Sequence, residues 1–284
     1  MRLEKLQASS AYSPMSGWAV SARQQIDEYL DALLHFPNPS RVNEAMRYSV
    51  LGGGKRIRPM LALAVADYLG TRPTGLMHVA CAIEMIHSAS LILDDLPCMD
   101  NDRMRRNRPS THAVYGEDCA ILASVSLLMH CHAMLASHPD LPPEVRLKTI
   151  RLLCETIGAD GLSLGQYIDL SSRSTPLQSS ATAGAHHLKT GILFLAAAKA
   201  ACLLCDATPE QSEKITVYAT SLGLAFQLKD DLADVGEPGL NLAAAMGVSS
   251  ARQQFLDHLE TASDAIGDDD DAGVLRDFAE ALLD

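Results

Sequence analysis

From Trp18 onward, apolar residues recur every three or four positions in one block after another, and Pro or Gly closes almost every block. That spacing lines the apolar side chains along one stripe of an α-helix, and no stretch shows the strict alternation of a half-buried strand. The pattern predicts helices over 19–35, 40–51, 56–70, 74–96, 117–137, 143–158, 160–171, 178–206, 209–235, 240–266 and 272–283. The breaks fall at Pro37 and Pro39, Gly52-Gly53-Gly54, Pro73, Pro97, Pro109, Pro142-Pro143, Pro209 and Pro238. Such a chain buries its stripes only by packing helix on helix, so the expected fold class is all-α. Hydrophobic residues at 48% supply the core, and an aromatic share of only 5% beside abundant Ala and Leu suits close helix packing. With no internal repeat and no long linker, residues 18–284 read as a single domain. Residues 1–17 lack periodicity and contain Ser, Pro and Gly, so they read as a mobile N-terminal tail.

The net charge of −12 argues against a nucleic-acid partner. It leaves an anionic substrate open, because Lys55, Arg56, Arg58, Arg103, Arg105, Arg106 and Arg108 place seven of the 23 basic residues in two short segments. The seven cysteines form no CxxC pair and mostly sit in apolar helical surroundings. They read as reduced core residues of a cytoplasmic protein, and Cys98 reads as a small space-filler. No signal peptide is expected from this reading, nor an apolar run that reaches the roughly 18 residues of a membrane span. Residues 191–205 come closest, interrupted by Lys199.

Two acidic clusters stand out against this background. Asp94-Asp95-Leu96-Pro97-Cys98-Met99-Asp100 follows an apolar helical run, and so does Asp230-Asp231-Leu232-Ala233-Asp234. Carboxylates at a helix C-terminus oppose the helix dipole, and buried carboxylates are costly unless a cation meets them. Mg²⁺ prefers oxygen ligands and suits Asp side chains that share it with phosphate oxygens. Pro97 ends the first helix, so Asp100 is expected from the following turn. Asp230 and Asp234 are spaced to share one helix face, with Asp231 beside them and Gln227 one turn earlier. A solvated acidic helix end competes with the metal reading for each cluster taken alone. The run Asp268–Asp271 follows Gly267 outside any apolar helix and reads as a solvated loop.

The basic segments complete a candidate diphosphate site. Gly52-Gly53-Gly54-Lys55-Arg56-Ile57-Arg58-Pro59 is a turn entering a helix and lacks the spacing of a Walker A loop. Lys55 and Arg58 are placed to meet one anion at the helix start. Arg103-Met104-Arg105-Arg106-Asn107-Arg108-Pro109 lies just after the first acidic cluster, which suggests neutralisation of a diphosphate from two sides. An intramolecular salt-bridge network is the competing reading.

Six segments in order resemble the trans-isoprenyl diphosphate synthases of the polyprenyl synthetase family, especially bacterial short-chain enzymes making farnesyl or geranylgeranyl diphosphate. They are GGGKRIRP at 52–59, EMIHSASLILDDLPCMDND at 84–102, RRNRP at 105–109, GQYIDL at 165–170, HHLKTG at 186–191 and GLAFQLKDDLAD at 223–234. The resemblance implies an isoprenoid-synthase-like helical bundle around a deep central cavity, and a homodimer. It implies that Asp94, Asp95 and Asp100 form the first aspartate-rich motif and Asp230, Asp231 and Asp234 the second. Between them the family holds three Mg²⁺ ions and an allylic diphosphate. By the same resemblance Arg105, Lys189, Thr190 and Gln227 contact that diphosphate. Lys55, Arg58, His87 and Arg106 bind the diphosphate of isopentenyl diphosphate.

The implied reaction is ionisation of the allylic C–O bond, attack by the double bond of isopentenyl diphosphate and loss of a proton. Asp94, Asp95, Lys189 and Asp230 carry the ionisation. The product tail is expected to grow along the helix that ends in Asp94. Farnesyl-making relatives place a large aromatic one turn below the metals, where this chain has Ala89 and Ser90. That favours geranylgeranyl diphosphate (C20) over the alternative, farnesyl diphosphate (C15).

The resemblance weakens after Asp234. The family usually continues with a Gly- and Lys-containing loop over the diphosphate, whereas no lysine follows Lys229 here. Lys229 points about 100° away from Asp230 on the helix and is no simple substitute. Asn107 replaces the usual glycine between the arginines. A non-catalytic homologue is therefore a rival reading, opposed by retention of all six aspartates. A class I terpene cyclase is another, opposed because its second metal motif would need Ser or Thr at Asp234 and Glu at Pro238.

Overall fold

A computed structural model describes residues 14–172, 191–233, 241–267, 270 and 273–282. The helices are α1 (Pro14–Leu33), α2 (Arg41–Leu51), α3 (Ile57–Tyr68), α4 (Leu76–Asp94), α5 (Thr111–Tyr115), α6 (Glu117–Ala136), α7 (Pro143–Ile157) and α8 (Leu162–Ser172). They continue as α9 (Ile192–Leu204), α10 (Pro209–Ala233), α11 (Leu242–Met246), α12 (Val248–Ile266) and α13 (Val274–Ala281). Strands β1 (Met104–Arg105) and β2 (Arg108–Pro109) form a small antiparallel hairpin between α4 and α5.

Helix α4 is apolar nearly all round because helices surround it: α1, α2, α3, α6 and α9 pack against it. Helix α9 lies against α3, α4, α7 and α10. Its buried Ala196, Ala197, Ala198, Ala200 and Ala201 let those neighbours approach closely. Phe194, near the start of α9, meets Phe226, near the end of α10, with ring centroids 5.3 Å apart. Arg58, near the start of α3, lies 5.2 Å from the Phe194 ring and 3.2 Å from His87, two turns before the end of α4. Helices α3 and α9 therefore begin, and α4 and α10 end, at the same end of the bundle. Both acidic clusters belong to that end.

The structure departs from the sequence expectations in several places. Helix α1 starts at Pro14, inside the expected tail, while residues 1–13 lie outside the described residues. The first part of the helix expected over 178–206 also lies outside them. The helix expected over 240–266 is two helices, because Gly247 adopts φ 88° and breaks the backbone path. The hairpin and α5 were not expected, since two-residue strands and a five-residue helix are too short for a period to register.

The acidic run is not simply solvated. Asp270 is buried, and its carboxylate accepts hydrogen bonds from the backbone N–H groups of Val274, Leu275 and Arg276 at 3.0, 3.0 and 3.1 Å. These are the unpaired donors of the first turn of α13, where a negative charge also suits the dipole. Two helices, Leu76–Asp94 and Glu117–Ala136, are long and apolar enough to cross a membrane by length and composition alone, contrary to the expected absence of such runs. The first is the enclosed core helix. The second leaves Leu122, Val125 and Met129 exposed along one face.

Candidate active site

The first acidic cluster closes into a compact turn. The N–H of Asp100 donates to the carbonyl of Asp94 at 2.9 Å, and the N–H of Asn101 donates to the carbonyl of Leu96 at 3.0 Å. Asn101 takes a left-handed φ of 56°, a conformation that Asn tolerates better than most residues. This brings Asp100 back beside the end of α4, as the position of Pro97 predicts. Asp95 is buried, and Arg105 grips it through Nε at 2.9 Å and through Nη2. Nη2 also reaches Asp102 at 3.0 Å. Burial raises the Asp95 pKa, against the pull of the Arg105 hydrogen bond and charge.

The hairpin carries its arginines in three directions. Arg105 faces the acidic turn. Arg106 donates to the carbonyl of Gly53, and the Arg108 guanidinium lies 3.8 Å from the centre of the Tyr48 ring. Arg106 and Asn107 form the two-residue loop, with φ of 52° and 61°. Two consecutive positive φ angles mark a type I′ turn, whose twist matches the flanking strands. Asn107 thus meets the backbone requirement that a glycine would meet.

The first basic segment divides in the same way. Lys55 is exposed and borders a cavity shared with Trp18, Met60, Phe278 and Leu282. Arg56 turns inward with φ 54° and donates to Asp27, Glu84 and the carbonyl of Val50, each at 2.7 Å. Sequence reasoning assigned Arg56 and Glu84 no role, and only their burial reveals it. Arg58 is buried over Phe194, and burial draws its pKa down to about 10 against the pull of Glu84 and Asp230.

His87 faces Arg58 through Nε2 at 3.2 Å. Arginine can only donate, so Nε2 accepts and the ring proton resides on Nδ1. Burial, then Arg58, Arg106, Arg105 and Arg56, hold the His87 pKa well below the ordinary range. The imidazole is neutral near pH 7 and presents a donor at Nδ1. One turn nearer the acidic cluster, Ser90 is half-buried and donates to the carbonyl of His87 at 2.9 Å. Ala89 is fully buried, and Ser124 of α6 donates to its carbonyl at 2.9 Å.

In the second cluster, Asp230 is exposed, and its charge reaches Arg58. Asp231 is buried and accepts from Gln227 at 2.7 Å and from the N–H of Leu242 at 2.8 Å, which staples α10 to α11. Each of its oxygens keeps a second lone pair. Lys229 donates to the carbonyl of Leu282 at 2.6 Å. Lys189, Thr190 and Asp234 lie outside the described residues. Gln166, in the GQYIDL segment, buries both polar atoms of its amide without a partner among the described residues.

The donors at this end of the bundle are carboxylate oxygens, which match a hard divalent cation such as Mg²⁺. Among the described residues, no three His, Cys, Asp or Glu side chains converge as a ready-made metal nest. The cysteines also differ from expectation. All seven are free, but Cys98 and Cys154 are exposed rather than core residues.

Two carboxylate-bearing helix ends and a hairpin of arginines thus lie together at one end of a largely helical scaffold. Residues 39–242, more than half of the chain, match the family described as Polyprenyl synthetase. A geranylgeranyl diphosphate synthase of Pseudescherichia vulneris is 41% identical over 254 residues, covering 84% of this chain and 82% of the relative. A farnesyl diphosphate synthase of Geobacillus stearothermophilus is 36% identical, covering 84% of each. The crystal structure of an FPP/GFPP synthase from Zymomonas mobilis superposes with a TM-score of 0.88 at 32% identity, covering 95% of this chain and 98% of that one. The chain belongs to the polyprenyl synthetase family. It is a trans-prenyltransferase.

Proposed function

We propose that this prenyltransferase condenses isopentenyl diphosphate with an allylic diphosphate and releases geranylgeranyl diphosphate as its main product. The supporting observation for product length is the pair of small residues on α4. Ser90 lies one turn before Asp94 on the same helix face and Ala89 directly precedes it, so α4 itself contributes no aromatic floor at these two positions. Relatives in the family carry both the geranylgeranyl and the farnesyl name, so their names do not decide between the two lengths.

In this reading Asp94, Asp95 and Asp100 face Asp230, Asp231 and Asp234 across the site and hold three Mg²⁺ ions. Bound there, the metal supplies positive charge to the leaving diphosphate. Arg105, Lys189, Thr190 and Gln227 orient the allylic diphosphate. Lys55, Arg58, His87 through its Nδ1–H, and Arg106 hold the diphosphate of the second substrate. The apolar walls of α4 and its neighbours exclude water from the reacting carbons. Residues 18–284 act as one catalytic domain in this reading.

The protein acts as a homodimer in the cytoplasm in the same reading. Leu122, Val125 and Met129 are 55%, 51% and 60% exposed on one face of α6, an apolar stripe suited to a two-fold contact. Seven free thiols suit a reducing compartment. The deciding experiment supplies purified protein and Mg²⁺ with labelled isopentenyl diphosphate and each of the C5, C10 and C15 starters, and resolves products by length. Dominant C20 supports the reading, dominant C15 replaces it with a farnesyl diphosphate synthase, and no turnover favours a non-catalytic homologue. Light scattering before and after Val125→Glu tests the dimer.

A further inference from the structure

We propose that Gly54 is a positioning residue for the second substrate, because its missing side chain is the space in which the Arg106 guanidinium lies. A Cβ built on Gly54 would fall 2.8 Å from both Cζ and Nη1 of Arg106 and 3.1 Å from Nη2. Carbon atoms do not approach that closely without displacing the neighbour. The same guanidinium donates to the carbonyl of Gly53, so it is fixed from two directions on one short stretch of backbone.

Gly52 repeats the arrangement with the next arginine of the hairpin. A Cβ there would meet Nη1 of Arg108 at 2.7 Å, and that guanidinium is sandwiched toward the Tyr48 ring. Gly53 differs: a Cβ on it would meet nothing within 4 Å. The triglycine run is thus a seat for the hairpin's arginines rather than only a flexible turn. The hairpin in turn joins two half-sites, with Arg105 on Asp95 and the adjacent Arg106 on the glycine seat.

This inference rests on the reading of Arg106 as a ligand of isopentenyl diphosphate. A side chain at position 54 would lift Arg106 from its place while leaving Arg105 on Asp95. The Michaelis constant for isopentenyl diphosphate should suffer, and that for the allylic substrate should not. Losing a hydrogen bond to a charged group corresponds to a change of roughly tenfold or more.

Gly70→Ala is the matched control, because Gly70, at the far end of α3 and outside the seat, also has positive φ, at 72° against 138° for Gly54, and a Cβ on it would meet nothing within 4 Å. Both alanine variants should lower the melting temperature through backbone strain. Only Gly54→Ala should raise KM for isopentenyl diphosphate, by about tenfold or more, with kcat within roughly threefold. Gly54→Ala added to Arg106→Ala should raise KM no further. Equal KM effects from Gly70→Ala and Gly54→Ala, or additive effects in the double variant, would overturn the seat. A crystal structure of Gly54→Ala gives a readout independent of turnover, and an undisplaced Arg106 overturns the seat by itself. If Arg106→Ala leaves KM unchanged, the ligand role of Arg106 is what fails, and the functional part of the proposal fails with it. If Gly54→Ala does not fold but folds once Arg106 is also Ala, the seat is supported.

Discussion

Arg56 Nη1 and Glu84 Oε1 meet 2.7 Å apart, and both side chains are almost wholly removed from solvent, at 1% and 2% exposure. This contact ties the turn between α2 and α3 to the middle of α4. It fixes the start of the helix that carries Arg58 relative to the helix that carries His87 and Asp94. Removing the Glu84 charge leaves buried Arg56 with the partly exposed Asp27 as its remaining counter-charge among the described residues. Glu84→Gln should therefore lower unfolding free energy by about 1–3 kcal/mol, measured by urea denaturation. The double variant Arg56→Met, Glu84→Leu should recover a good part of that loss, because no buried charge then remains on Glu84 or Arg56. A larger loss in the double variant than in the single one would contradict this account.

The hairpin turn gives a second prediction. Asn107 has φ 61°, where a β-branched side chain is strained. Asn107→Gly should change stability by less than about 0.5 kcal/mol, whereas Asn107→Val should cost about 1–3 kcal/mol. Thermal melts of the two variants compare these costs directly.

The first acidic turn should be indispensable to turnover and dispensable to the fold. Asp94→Asn keeps size and polarity but removes the charge. It should lower kcat by at least about a hundredfold with little change in melting temperature. Chelation should abolish wild-type turnover, and added Mg²⁺ should restore it. Unchanged kcat in steady-state assays of Asp94→Asn would remove this aspartate from the site.

Product length separates two neighbouring positions. Ala89 is fully enclosed under the Ser124 contact, so Ala89→Tyr should shorten the product but also overpack the core by about 1–3 kcal/mol. Ser90 is half-buried and shares a helix face with Asp94. Ser90→Tyr should shift the main product from C20 toward C15 at smaller cost in stability. Chromatography of labelled products reads the first effect and thermal melts the second.

Stability should also depend on pH through His87. Its folded pKa is depressed by burial and by the surrounding arginines, so the unfolded chain binds a proton that the folded chain refuses. Stability contributed by this group is complete above the unfolded pKa near 6.5 and falls as pH drops below it. His78 acts in the same direction, through burial and the adjacent His138. Between pH 7.5 and 5.5 the urea midpoint of the wild type should fall, and that of His87→Gln should fall less. Equal slopes would mean that His87 does not carry the effect.

The sequence by itself determined the helical character, the two acidic helix ends and the basic segments beside them. Those features are local. Periodicity, a proline that stops a helix and charge at the wrong helix end are each written within a few residues. The tertiary structure decided how the charges are shared, because that depends on groups far apart in the chain. Three nearby arginines, Arg105, Arg106 and Arg108, go to Asp95, to the Gly53 carbonyl and to Tyr48. Positive φ angles at Arg106 and Asn107 send them there, and no hydrophobic pattern records a two-residue turn. The acidic run at 268–271 had no local signal for a buried role, yet Asp270 caps α13. Arg56 looked like one more cation in a basic segment until α4 placed Glu84 against it. Which protein partner each of these like residues takes was decided by packing, since a charged side chain takes its partner from whatever the fold brings within about 3 Å.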